Sequence, residues 1–187
     1  MDQISLDRIE TLHPAIRQKV KDAYIHISNK LFGKRVRLRM AYCIRTKEEQ
    51  TALFAQGRTV LFDSNGKRLG KVTNAQWWQT IHFYGLAFDI VVLYDMDNNG
   101  TFEVASWDLI KDVDGDGKPD WQEAILYLKN QGFEWGGDWT EFIDKPHVQA
   151  QGAHWRDLRN LPVDSSGFVK LPEDVETAMY YLPANIP

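Results

Sequence analysis

Thr80-Ile81-His82-Phe83-Tyr84-Gly85-Leu86-Ala87-Phe88-Asp89-Ile90-Val91-Val92-Leu93-Tyr94 is the stretch on which the fold turns. From Leu86 onward it is rich in β-branched and aromatic residues, which predicts a buried strand. Asp89 is the one charged side chain in that run. A buried carboxylate needs a strong partner, and a metal ion is one. His82 precedes Asp89 by seven residues. Fully extended, that separation spans roughly 23 Å, so the chain must turn back if both side chains are to reach one ion. Gly85 is where it can do so.

Outward from this strand the elements follow from spacing. Ile16, Val20, Ala23, Tyr24, Ile27 and Leu31 recur at helical intervals, with Pro14 suited to the first turn and Gly33 to the stop. Val36, Leu38, Met40, Tyr42 and Ile44 alternate with Arg35, Arg37, Arg39, Ala41 and Cys43, a half-buried strand whose arginine face is expected in solvent. Thr46-Lys47-Glu48-Glu49 has the spacing of a capping box and opens a helix ending near Gly57. Asn65-Gly66 marks a turn between Val60-Leu61-Phe62 and the segment from Leu69 to Val72, a small hairpin. A further helix is expected from Trp121 to Lys129, with short strands near Phe133 to Trp135 and His147 to Gln149. Strands and helices mix without strict alternation, so the class is α+β, a small antiparallel sheet with flanking helices. Residues 1–160 are expected to form one domain. Residues 161–187 form a Pro-rich tail with no readable motif, too short for a second folded domain.

Composition bounds the partners. The 187 residues are 43% hydrophobic and 26% charged, the balance of a globular chain that buries a core. A net charge of −4 argues against nucleic acid, and no apolar run approaches the roughly 20 residues that span a bilayer. The amino terminus, MDQISLDRIE, lacks the basic and apolar regions of a signal peptide. Cys43 is the one cysteine, which excludes an internal disulfide and fits synthesis in a reducing cytoplasm. The charge is uneven. From Asp95 to Glu123 nine acidic residues face two lysines, a net of −7 that leaves the rest of the chain at +3. Such a block either attracts cations or is a solvated acidic loop.

Of five histidines, His13 and His26 sit at a helix start and within an amphipathic helix, positions that read as structural. His147 follows Pro146 in Asp144-Lys145-Pro146-His147. Two histidines, Asp89 and an open fourth position make a catalytic zinc site. Such a site needs a nearby carboxylate to move the water's proton, and Asp144 is the candidate. Spacing alone leaves open an ordinary buried pair between His82 and Asp89.

Several blocks resemble the zinc L-alanyl-D-glutamate peptidases of phage endolysins and bacterial wall enzymes, relatives of the D-alanyl-D-alanine carboxypeptidases. They are Arg45-Thr46 with Glu49-Gln50 and Gln56-Gly57-Arg58, then Val72-Thr73-Asn74-Ala75, then His82 through Gly85-Leu86-Ala87 to Asp89. The last is Glu134-Trp135-Gly136-Gly137-Asp138-Trp139 with Asp144, Pro146 and His147. The resemblance implies that His82, Asp89 and His147 ligate zinc, that Asp144 is the catalytic base, and that Arg45 faces the substrate. A guanidinium there would stabilise an oxyanion or grip a carboxylate. Thr80 stands where the family usually has serine, and Trp77-Trp78-Gln79 replaces small glycines, changes expected to reshape the substrate groove.

Within the acidic block, Asp112-Val113-Asp114-Gly115-Asp116-Gly117-Lys118-Pro119-Asp120-Trp121-Gln122-Glu123 matches a twelve-residue EF-hand-like calcium loop. Asp112, Asp114, Asp116, Asp120 and Glu123 supply carboxylates, Lys118 its carbonyl, and Gly117 the sharp turn. Asp95-Met96-Asp97-Asn98-Asn99-Gly100 repeats only the first half, and Ser106 replaces the final glutamate. It reads as a turn, or as a lender of one ligand to the first loop.

The expectation is therefore a monomeric zinc peptidase, with calcium in an inserted loop and the peptidoglycan stem peptide as substrate. No nucleic acid or membrane partner is implied. A phage endolysin of this kind waits in the host cytoplasm until release to the wall. A D-alanyl-D-alanine carboxypeptidase is the nearest rival. A non-enzymatic metal-binding domain, like the zinc-bearing signalling domain of hedgehog proteins, is the second; Asp144 and Arg45 argue against it.

Overall fold

The computed structural model describes residues 1–176. A short helix α1 (Gln3–Ile9) leads into α2 (Pro14–His26), where Pro14 opens the first turn and the His13 ring accepts the Ala15 amide. The helix widens into a π-type turn over Ile27–Leu31 and stops before Gly33. Then come β1 (Val36–Tyr42), α3 (Lys47–Ala55), β2 (Ala87–Tyr94), β3 (Val104–Ser106), α4 (Asp120–Asn130), β4 (Phe133–Trp135), β5 (His147–Ala150) and a single turn, α5 (Trp155–Leu158). The Thr46 capping box is present in full. The Asn65-Gly66 hairpin is reduced to one bridge, Phe62 with Arg68.

The sheet is antiparallel throughout, and β2 is its centre. β1 runs along one edge of β2 from Val36 opposite Tyr94 to Tyr42 opposite Asp89, with a bulge between Met40 and Tyr42. The other edge is shared: β5 pairs with Ala87 to Asp89, and β3 with Val92 to Tyr94. β4 lies outside β5. This division sends the acidic insertion off one end of β2 while Asp89 and His147 meet at the other.

Phe88, Ile90, Val92 and Tyr94 alternate onto one face and are fully buried with Leu12, Ile16, Val20 and Trp121 from the helices. Each such side chain contributes about 1.5–3 kcal/mol on burial, which fixes the register and puts Asp89 on the opposite face.

Two regions depart from the sequence expectation. The arginine face of β1 is not simply solvated, because α1 lies against that strand. Arg39 forms a two-pronged pair with Asp2 at 2.9 and 3.0 Å, and Arg37 lies 3.7 Å over the Phe102 ring. The described part of the segment after residue 160 packs on the body. Val169 is buried, its carbonyl lies 2.9 Å from His13 Nε2, and Phe168 meets the His13 ring edge-on. The remainder of the expected tail lies outside the described residues.

Candidate metal centre and active site

The turn that brings His82 back to Asp89 is a 3-10 turn, Ile81–Tyr84, closed by Gly85 at φ +70°. A side chain on Gly85 would also collide with the His13 backbone nitrogen at 2.8 Å. Asp89 and His147 are direct cross-strand partners of β2 and β5. The three side chains meet. His82 Nε2 lies 3.2 Å from Asp89 Oδ1 and 3.2 Å from His147 Nδ1, and His147 Nδ1 lies 3.5 Å from Asp89 Oδ1.

Each of these groups is held from behind. His82 Nδ1 faces the Cys43 carbonyl at 2.8 Å. That nitrogen must donate, which leaves the Nε2 lone pair directed at the site. His147 Nε2 lies 3.0 Å from Gln149 Oε1. Arg45 donates to the outer oxygen, Asp89 Oδ2, at 3.0 Å and to Gln50 Oε1 at 2.9 Å. Gln50, fully buried, donates onward to the Ala75 carbonyl. Burial alone would push the Asp89 carboxyl up, but the facing His82 and His147 rings outweigh it and hold it well below the usual range.

Asp144 lines the same cavity, roughly 710 Å³, with Arg45, Thr80, Trp139, Phe142 and Trp155 among the other walls. Burial pushes its carboxyl up, and the charges of His147, His82 and Arg45 only partly offset that. Gly136 explains how Asp144 comes so close: a Cβ there would fall 2.5 Å from the Asp144 carbonyl and 3.1 Å from His147 Cβ. Trp77 and Trp78 are not among the residues that line the groove. They pack on each other, and Trp77 packs on Phe83, outside the cavity lining, while Gln79 and Thr80 line it. Sequence reading assigned no role to Gln149 or to the Cys43 carbonyl. For Gln149 a signal existed: on a strand, residue 149 shares its face with residue 147.

The acidic insertion gathers differently. One carboxylate oxygen each from Asp112, Asp114 and Asp116 lies within 4.8 Å of the others, and the same holds for Asp95, Asp97 and Glu103. Asp112 accepts from Gly115 and Gly117, and Asp114 accepts from Gly33 at 2.7 Å. Asp120 and Glu123 stand outside that first group. Asp120 accepts from the Val113 amide through Oδ2 and has the Tyr94 hydroxyl as a neighbour, but among the described residues its Oδ1, like Glu123 Oε2, is buried without a well-formed hydrogen bond. The Lys118 ammonium sits 3.2 Å from Glu123 Oε1 and 3.7 Å from Asp116 Oδ2.

The fold, the His-Asp-His cluster and the adjacent carboxylate define the metallopeptidase class. A family model described as D-alanyl-D-alanine carboxypeptidase matches residues 73–150, a span holding all four of these residues. The peptidoglycan L-alanyl-D-glutamate endopeptidase CwlK of Bacillus subtilis (strain 168) is 35% identical over 138 residues, 74% of this chain and 72% of that protein. The L-alanyl-D-glutamate peptidase of Listeria phage A118 is 28% identical over 106 residues, 57% of this chain but 27% of its own length. The chain belongs to the peptidoglycan L-alanyl-D-glutamate endopeptidase family, a zinc metallopeptidase class. Its fold is also that of the Serratia marcescens L-Ala D-Glu endopeptidase ChiX. The TM-score is 0.51 at 16% identity, covering 84% of this chain and 91% of that one.

Proposed function

We propose that this protein is a zinc-dependent endopeptidase that hydrolyses the L-alanyl-D-glutamate bond of the peptidoglycan stem peptide. His82, Asp89 and His147 hold the metal in this reading, and Asp144 is the base. The observation that carries it is the convergence of His82 Nε2, His147 Nδ1 and Asp89 Oδ1 on one point beside Asp144. Electron-rich atoms so close repel unless a cation lies among them. Two imidazole nitrogens and one carboxylate oxygen, with no thiolate, suit a catalytic zinc with an open position.

Zinc bound there supplies Lewis acidity toward a carbonyl and lowers the pKa of water to about 7. Asp144 takes a proton from the attacking water and passes it to the leaving amine. Arg45 keeps Asp89 Oδ2 occupied, so that Oδ1 alone faces the histidines. Its guanidinium, in the cavity wall, is positioned for an oxyanion or a substrate carboxylate. Trp139, Phe142 and Trp155 give the stem peptide apolar walls.

A second ion belongs to the same reading. Asp112, Asp114, Asp116, the Lys118 carbonyl, Asp120 and Glu123 form a calcium loop, an all-oxygen set suited to a hard cation. Support comes from Asp120 Oδ1 and Glu123 Oε2, buried without a well-formed hydrogen bond among the described residues. Bare carboxylate oxygens in that position are costly without a partner.

The physiological setting we infer is host lysis by a phage, where the enzyme acts as a monomer on the wall after release; the phage relative supports it. The Bacillus relative favours a second setting, remodelling of a bacterium's own wall. The test is digestion of purified sacculi followed by mapping of new termini. New amino termini on D-glutamate are expected. Release of free D-alanine instead makes the chain a carboxypeptidase, and no cleavage by zinc-loaded protein makes it a binding domain.

A further inference from the structure

Glu134 lies in a block shared with the family, yet it does not line the catalytic cavity. Both of its oxygens are occupied. Oε1 accepts the Gly152 amide at 2.8 Å, and Oε2 accepts from Gln149 Nε2 at 3.1 Å. Glu134 and Gln149 are register partners on β4 and β5. Gln149 is buried, and its amide nitrogen also lies 3.3 Å from the Ala153 carbonyl.

These contacts dictate a direction. A carboxylate and a carbonyl only accept, so the Gln149 NH2 group must face them, which settles the orientation of the amide. Gln149 Oε1 is then the end presented to His147 Nε2 at 3.0 Å. An oxygen there accepts a hydrogen bond, so His147 carries its hydrogen on Nε2 and turns the bare Nδ1 lone pair toward His82 and Asp89. Reversing the amide would set a donor against His147 Nε2 and drive the hydrogen onto Nδ1, inside the site.

We infer that Glu134 and Gln149 form a positioning relay that selects the His147 tautomer whose Nδ1 is free to bind metal. The inference rests on the zinc reading above, but its first link, the tautomer, belongs to the protein without metal. The relay acts through His147, and neither member touches substrate.

The relay can be reversed in place. In Glu134→Gln, one amide oxygen cannot serve both Gly152 and Gln149, and the Gln149 amide is pushed to flip. In the double variant Glu134→Gln/Gln149→Glu, the new glutamine accepts from Gly152 and donates to the new glutamate. The glutamate then accepts from His147 Nε2. Every link is restored except the contact with Ala153.

The experiment measures zinc affinity by chelator competition, and reads the His147 tautomer by ¹⁵N NMR in metal-free protein at alkaline pH. Outer partners of metal-bound histidines are typically worth about 10- to 100-fold in affinity. Gln149→Leu is expected to lose affinity within that range, and Glu134→Gln about tenfold with a shift of the tautomer toward Nδ1–H. The double variant should return to within about threefold of wild type with the Nε2–H form restored. Unchanged tautomer and unchanged affinity in Glu134→Gln overturn the relay, as does a lower melting temperature with no change in either readout. Equal zinc binding by wild type and His82→Ala overturns the zinc reading instead, and the metal-free tautomer still decides the relay.

Discussion

Two places in this molecule crowd metal-ligating side chains together, and they do so in opposite ways. At the His82–Asp89–His147 corner, each ligand is gripped by a group from elsewhere in the chain: Cys43 behind His82, Gln149 behind His147, Arg45 behind Asp89. In the loop from Asp112 to Glu123, the leading carboxylates take hydrogen bonds largely from their own backbone. Two deeper oxygens, Asp120 Oδ1 and Glu123 Oε2, are buried without a well-formed hydrogen bond among the described residues. The first arrangement draws its order from the protein's own side chains and backbone, so the corner is part of the fold. The second crowds carboxylates with little outside support, the arrangement that the proposed cation would relieve. One site is therefore expected to tune chemistry, the other stability.

Removing a ligand from the organised corner has the largest expected effect. His82→Ala or His147→Ala leaves two of three protein ligands, too few for a catalytic zinc site. Both should lose bound zinc and fall to the turnover of metal-stripped protein, as read by elemental analysis and release of termini from sacculi. Full activity in zinc-free His82→Ala would end the assignment.

Asp144→Asn comes next. The amide keeps the size of the side chain and the backbone bonds to Gly136 and His147, but cannot take a proton. Zinc should stay while the rate falls on the order of 10²- to 10⁴-fold. Loss of zinc would make Asp144 a ligand. An unchanged rate would remove the carboxylate base from the reading, because Glu134 has both oxygens engaged and Asp138 pairs with Lys129 outside the cavity lining.

The acidic loop should respond in stability instead. Calcium at a hundredfold excess over its dissociation constant adds about 2.7 kcal/mol to any fold that alone binds it. A rise in melting temperature is expected with calcium and much less with magnesium, which prefers a smaller octahedral shell. Glu123→Gln should blunt the response without touching zinc content. Identical calcium titrations of this variant and wild type by calorimetry would reduce the loop to an acidic turn.

The two sites were also unequally legible in sequence. The Leu86 to Tyr94 run announced the central strand because a strand buried on both faces has little polar residue to hide it, and Asp89 stood out for the same reason. Gly85 marked the return turn because a left-handed residue there has few alternatives. What sequence reading could not supply was the grip behind each ligand. The Cys43 carbonyl belongs to no side-chain pattern, and the partners of Gln149 depend on which strands become neighbours. Helix α1 is not legible in sequence because its seven residues carry too few apolar positions to show a period. Its burial comes from tertiary contacts such as Asp2 with Arg39. The tryptophans before Thr80 misled for a related reason: bulk in sequence does not say which way a side chain packs.

The smallest effect sets the two sites against each other with one kind of substitution. Asp89→Asn should be harmful, since the facing histidines hold the carboxyl well below its usual range and it is a proposed zinc ligand. Asp120→Asn should have the opposite sign in calcium-free protein. Burial, with the charges of Asp114 and Asp112 in support and the Val113 amide and Tyr94 hydroxyl in opposition, pushes the Asp120 carboxyl up to about 6 from its ordinary 3.8. The sign follows from proton counting. Between those two values the folded chain holds a proton that the unfolded chain has released, so stability falls as pH rises through about 6. At neutral pH the ionised, half-partnered Asp120 is thus a burden on the calcium-free fold. Asparagine can keep the Val113 bond through its oxygen and turn its NH2 toward the Tyr94 hydroxyl, which can accept. A gain on the order of 1 kcal/mol is expected near pH 7, shrinking as pH falls below about 6, where folded wild type takes up its proton. The same variant should lose most of the stabilisation by calcium, because a neutral amide replaces an anionic ligand. Thermal melts across pH with a calcium-selective chelator, and again with excess calcium, read both halves. Destabilisation in both conditions would mean that Asp120 is a structural anchor of α4, and that the loop is as finished without an ion as the zinc corner is.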